Sequence, residues 1–301
     1  MTPLDRALRK AFAEKAPRAA APESQQPAPA ITPDDVPQPP GSLSPLSKFV
    51  GRPRIHESAG ALLEVDHLAW PPACDDLLAR SSDALHPFAE QIIERIGQGQ
   101  KIVALASCRR GEGRTTVSLV VAKHLAARGL RPVVVDADSE NPNLARNCGI
   151  LDHAGWGDVL AGELPLGDAL IAAVDDGVTL MPWRGAAVST AQLAGSVRTA
   201  RSFSMLRDHY DLVLLDTMPL SSPTAVSDFA GFAESIGLDA LYLIHDVRST
   251  SPEVLAETWA QLRGAGVNVA GIIENFVSPA GTILVAGPDK SKPVAGQKLA
   301  A

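Results

Sequence analysis

Ile102-Val103-Ala104-Leu105-Ala106-Ser107-Cys108-Arg109-Arg110-Gly111-Glu112-Gly113-Arg114-Thr115-Thr116-Val117-Ser118-Leu119 is the stretch that decides the fold. It opens with an apolar run of strand length, passes through a glycine-bearing turn and enters an apolar segment of helical length reaching residue 128. A strand, a tight turn and a helix in this order gather backbone N–H groups at the positive end of a helix dipole, an arrangement that binds phosphate. Gly111 and Gly113 let the backbone approach the oxygens, and Thr115, just after the basic Arg114, offers a hydroxyl suited to Mg2+. Two positions depart from G-x-x-x-x-G-K-[ST]: Cys108 stands at the first glycine, and Arg114 puts a planar fork where a compact ammonium is usual.

Outward from this loop, short β-rich runs alternate with helical stretches, the pattern of a parallel sheet with crossover helices. The spacing predicts strands at 102–106, 133–136, 178–181, 212–216, 240–244 and 269–273, with helices at 115–128, 198–208, 224–236 and 252–264. The expected fold class is α/β: a three-layer P-loop fold, its mostly parallel central sheet flanked by helices, preceded by a disordered N-terminal tail. Right-handed crossovers then put every loop that follows a strand on one edge of the sheet. Asp136 and Asp138 end or follow the second strand and Asp216 ends the fourth, so three carboxylates join the glycine loop there. Such acids can hold Mg2+ and orient an attacking group. Gly111-Glu112-Gly113 followed by an acid at Asp136 also imitates a dinucleotide fingerprint, but Thr116 occupies the third glycine position.

The flanks read differently. Leu4, Ala7, Leu8, Ala11 and Phe12 lie at helical spacing among basic residues, which predicts a short amphipathic helix over 1–15. Residues 16–53 are rich in Ala and Pro, hold a good part of the chain's 24 prolines and keep no apolar period, which predicts a disordered linker. Residues 54–98 form an uncertain helical segment with a helix expected at 85–96, residues 99–277 the P-loop nucleotide-binding domain, and residues 278–301 a C-terminal tail. A net charge of −7 provides no global field for nucleic acid, so no nucleic-acid partner is expected. Cys74, Cys108 and Cys148 are too scattered for a zinc site or a disulfide framework and suit a reducing compartment. Without an apolar run of about 18 residues or a secretory leader pattern, the expected location is cytoplasmic.

Residues 101–276 resemble the bacterial tyrosine kinases of capsule and exopolysaccharide synthesis and, more distantly, the MinD/ParA class of positioning ATPases. The resemblance rests on Ser107–Thr115 against S-x-x-P-G-x-G-K-[ST], on Val134-Val135-Asp136-Ala137-Asp138 with Pro142-Asn143-Leu144, on Tyr210–Thr217, and on Val269–Asn275. It implies ATP and Mg2+ as cofactors. Gly111, Glu112, Gly113, Arg114, Thr115, Thr116 and Asn275 would bind the nucleotide, Asn275 near its base. Thr115, Asp136 and Asp216 would hold the metal, and Arg114, Asp136, Asp138 and Asp216 would serve the chemistry. The implied partner is a membrane-embedded polysaccharide chain-length regulator that recruits the protein to the inner face of the membrane, with a homo-oligomer as a further expectation. The activity implied is that of an ATP-binding, kinase-like protein with weak or no tyrosine kinase turnover; a nucleotide-dependent scaffold and a positioning ATPase are the alternatives. The relatives' tail tyrosines have no counterpart, since residues 276–301 contain no Tyr.

Overall fold

A computed structural model describes residues 61 and 63–277 and the backbone of Leu284–Ala286. Its elements run β1 (Leu63–Val65), α1 (Pro72–Arg80), α2 (Ser82–Gly97), β2 (Ile102–Ser107), α3 (Arg114–Ala126), β3 (Pro132–Asp136), α4 (Leu144–Asn147) and α5 (Trp156–Ala161). After a 3-10 turn at Leu166–Ala169 come β4 (Ile171–Ala173), β5 (Val178–Met181), α6 (Thr190–Ala194), α7 (Val197–His209) and β6 (Leu212–Asp216). The chain continues through α8 (Pro223–Ile236), β7 (Ala240–Asp246), α9 (Pro252–Gly264), β8 (Val269–Asn275) and β9 (Leu284–Ala286). The predicted helix 1–15 and linker 16–53 lie outside the described residues, as does most of the predicted tail 278–301.

One nine-stranded sheet runs through the molecule in the order β1-β4-β5-β3-β6-β2-β7-β8-β9. The six central strands, β5 to β8, are parallel throughout, and the sheet turns antiparallel where β4 meets β5 and where β9 meets β8. All residues of β2, β3, β6 and β7 are buried, as expected for parallel strands covered on both faces. Alternation along β2 divides the core. Ile102, Ala104 and Ala106 face one apolar layer with Phe203 of α7, Phe229 of α8 and Trp259 of α9; Val103 and Leu105 face a second with Phe88 of α2 and Val117 of α3. In the first layer Trp156 meets Trp183 and Phe203 edge-on, each at 5.5 Å between ring centroids. Such aromatic pairs add about 0.5–1.5 kcal/mol each beyond their burial.

Helix boundaries follow local chemistry. Pro223 opens α8 behind Ser222, whose hydroxyl accepts the Ala225 N–H, and Gly237 closes it in the left-handed conformation. Ser189 and Gln192 form a reciprocal capping box on α6.

The expected α/β sheet is present, with three more strands than the six predicted. Of the added strands, β1, β4 and β9 have three residues each and lie toward the sheet margins, too short to show a period of two. The stretch preceding residue 99 is also more than a helix: β1 pairs with β4, and α1 lies against α3 with Cys74 beside the Thr116 carbonyl. No helix among the described residues is long and apolar enough to cross a membrane.

Candidate functional site

The register of the central strands assembles the site. Asp136 and Asp216 are direct neighbours at the ends of β3 and β6, and Leu105 of β2 pairs with Asp216 on its other side. Three strands thus end almost flush, and the turn after β2 crosses above both acids.

That turn is held by its own polar groups. The Ser107 hydroxyl donates to the Arg109 carbonyl at 2.7 Å, and the Arg109 N–H donates to the Glu112 carboxylate at 2.8 Å. Gly111 and Gly113 take positive φ values of 83° and 90°. At Gly113 the need for glycine is double, because a Cβ there would sit 2.3 Å from the Asn275 amide nitrogen. Helix α3 starts at the next residue, and its first-turn N–H groups, which have no intrahelical acceptor, face a cavity of about 430 Å³.

The acids below are tightly coordinated. The Thr115 hydroxyl donates to one Asp216 oxygen at 2.5 Å, while the other Asp216 oxygen is buried without a partner. One Asp136 oxygen accepts the N–H groups of Asn143 and Leu144, each at 3.1 Å, and the other accepts the Asp138 N–H at 3.2 Å. Burial raises the Asp136 carboxyl to about 7, helped by the negative charge of Asp216. Burial likewise raises Asp216 to about 6, against the favourable charge of Arg114 and the Thr115 hydrogen bond. Asp138 accepts an ion pair from Arg110 at 3.2 Å and one from Arg114 at 3.5 Å. Arg114 is only 9% exposed, and its other terminal nitrogen is buried without a partner. An unpartnered guanidinium nitrogen and an unpartnered carboxylate oxygen, both at the site, are costly alone, and an anion and a cation respectively would satisfy them.

Among the described residues no cluster of three or more His, Cys, Asp or Glu forms a self-sufficient metal centre. Thr115, Asp216 and Asp136 are the oxygen-bearing residues that could hold a cation, and such a set is compatible with Mg2+, an ion that keeps several waters and takes phosphate oxygens as ligands.

Of the residues singled out in the sequence, Gly111, Gly113, Arg114, Thr115, Thr116, Asp136, Asp138 and Asp216 line the cavity together. Glu112 and Asn275 do not. The Glu112 carboxylate is 1% exposed and bonds the Thr250 hydroxyl at 2.5 Å, and its carbonyl accepts the Asn275 amide at 3.0 Å. Both residues therefore brace the loop against the ends of β7 and β8; in this conformation the expected base contact of Asn275 is occupied by the protein itself. Arg109 reaches the Ser249 carbonyl at 3.2 Å, leaving Arg110 as the loop arginine that borders the cavity. Cys108 is buried, and burial pushes its thiol up to about 11. His245 is buried against the Thr250 carbonyl. Asn141, Asn143 and Phe276 also line the cavity, and no sequence motif assigns them a role in the site. Asn143 was visible only as part of a motif, and Phe276 only as the residue after a strand.

Fold and site together define a P-loop protein. The family model described as an AAA domain matches residues 100–228. The protein EpsB of Ralstonia solanacearum, named as a tyrosine-protein kinase, is 31% identical over 181 residues, covering 60% of this chain and 24% of its own length. The chain thus spans about a quarter of that relative. The chromosome-partitioning ATPase Soj of Thermus thermophilus is 35% identical over 175 residues, covering 56% of this chain and 68% of Soj. The crystal structure of the VpsO kinase domain superposes with a TM-score of 0.54 at 27% identity, over 60% of this chain and 87% of that one. The chain belongs to the P-loop family that holds the bacterial tyrosine kinases and the MinD/ParA-like ATPases.

Proposed function

We propose that this protein binds ATP with Mg2+ at the Gly111–Thr116 loop and acts in exopolysaccharide or capsule synthesis as a kinase-like ATPase of slow turnover. The observation that carries this reading is the Thr115–Asp216 hydrogen bond of 2.5 Å beneath a glycine loop, with an unpartnered Asp216 oxygen beside it. The loop amides and Arg114 would hold the phosphates. Thr115, Asp216 and Asp136 would hold Mg2+, which supplies charge neutralisation on the phosphate oxygens. Asp136, whose carboxyl burial raises to about 7 in the nucleotide-free protein, would become the ionised carboxylate that orients an attacking group once cation charge lies beside it.

Slow turnover follows from Arg114. Its guanidinium is engaged by Asp138, so it must exchange that carboxylate for phosphate, and its planar fork fits a point-charge position poorly. Residues 276–301 hold no tyrosine, and Tyr210 and Tyr242 are buried, which supports a tyrosine of another protein as the acceptor within the kinase-like reading. A cytoplasmic location, recruitment by a membrane-embedded chain-length regulator, homo-oligomerisation and a nucleotide-binding domain at 99–277 belong to the same proposal, supported by kinship with the tyrosine kinases. The test is ATP turnover by the full chain: Arg114→Lys is expected to raise it about tenfold or more, and an unchanged or lower rate with intact ATP binding would contradict the role given to Arg114.

A further inference from the structure

The cavity wall is polar almost throughout: arginines, threonines, aspartates, asparagines and glycine backbone. Phe276 is the exception, the one aromatic or large apolar side chain among its lining residues. It directly follows β8, at the side of the glycine loop away from the acids of β3, and its ring edge would lie 4.0 Å from a Cβ on Gly113. Its backbone is unusual too, with φ at 59°, the only non-glycine residue with positive φ among the described residues. A bulky residue is held in that conformation only when its surroundings compel it, and such positions concentrate at ligand sites.

The surroundings do compel it. The Phe276 N–H donates to the Asn275 side-chain oxygen at 2.9 Å, and the same amide group reaches the phosphate loop through the Glu112 carbonyl. One face of the ring is covered by Arg248, whose guanidinium carbon lies 3.5 Å from the ring centroid. Arg248 is in turn fixed by Asp246 through two bonds of 3.0 and 2.9 Å. An aromatic ring backed by a cation and tied to the phosphate loop is a stacking surface prepared in advance.

We infer that Phe276 is the platform on which the purine base of the nucleotide stacks, with Arg248 as its backing. This rests on the nucleotide-binding reading above and assigns the base end of that site. Phosphates and metal account for the polar wall, and a flat, weakly polar base finds a matching surface only at Phe276. Stacking reads the π-face and not the base edge, so ATP and GTP should bind with similar affinity on this account.

The experiment compares MgATP with magnesium tripolyphosphate, which carries the phosphates and no base, by calorimetry on the full chain. Phe276→Ala is expected to weaken MgATP binding roughly ten- to a hundredfold and to leave tripolyphosphate binding unchanged, which also shows that the variant is folded. In Phe276→Trp, difference fluorescence against the wild type should show quenching by ATP and none by tripolyphosphate. Equal weakening of both ligands in Phe276→Ala would reduce Phe276 to a structural part of the loop, and unchanged ATP affinity would overturn the inference outright. Binding of tripolyphosphate without preference for ATP in the wild type would leave the phosphate site standing and remove the base site. Binding of neither would overturn both.

Discussion

The Asp136 carboxyl makes folding stability depend on pH in a direction that its burial dictates. Its folded value of about 7 lies above the ordinary 3.8, so between these limits the native state holds a proton that the unfolded chain has released. Stability from this group is complete below about pH 4, declines as pH rises and reaches its floor above about pH 7. The displacement of roughly three units, at about 1.4 kcal/mol each, gives a total on the order of 4 kcal/mol, of which roughly 2 to 3 fall between pH 5 and pH 8. Urea unfolding of the nucleotide-free full chain at pH 5 and pH 8 measures the loss. Asp136→Asn removes the titration, so its stability should fall by about 2 kcal/mol less than the wild type's over that interval. The three backbone N–H bonds to Asp136 give the variant a constant offset, so the slope alone decides. Parallel profiles for the two proteins would show that burial does not raise the Asp136 carboxyl in the folded state, and the reading of the site's electrostatics would fail.

Other consequences are local. Gly113→Ala places a Cβ against the Asn275 amide at a φ of 90°, so it should cost on the order of 1–3 kcal/mol in urea unfolding and weaken MgATP binding more than Gly111→Ala, whose Cβ would meet no atom within 4 Å. Cys74, Cys108 and Cys148 are buried, with thiols raised to about 11, 11 and 12, so iodoacetamide at pH 7.5 should label them only after unfolding. Rapid labelling of the native protein at Cys108 would contradict its placement beneath the loop.

Much of this architecture was legible because it repeats local rules. Unbroken apolar runs such as 102–106 and 212–215 can be strands buried on both faces, and the glycine turn before Thr115 could sit only between a strand and a helix. The acids were legible for the same reason: strand-end positions Asp136 and Asp216 fall on one edge in any parallel sheet. What escaped depends on contacts distant in sequence. The Glu112 side chain is one example: its carboxylate is drawn to Thr250, 138 residues away. Asn275 is drawn to Glu112 over 163 residues. Phe276 carries no motif at all, and its importance arises from a backbone conformation and an arginine partner that only the folded loop brings together. The strands β1, β4 and β9 are three residues long and are specified by the neighbours they pair with, not by their own composition.

Calorimetric titration of the full chain with ATP in the presence of Mg2+, beside the same titration of Thr115→Ala, decides whether the Gly111–Thr116 loop is a nucleotide site. Saturable, Mg2+-dependent binding by the wild type is expected, with a loss of at least about tenfold in affinity when the Thr115 hydroxyl is removed from Asp216. Absence of binding by the wild type at millimolar nucleotide, or binding indifferent to both Thr115 and Mg2+, would contradict that reading.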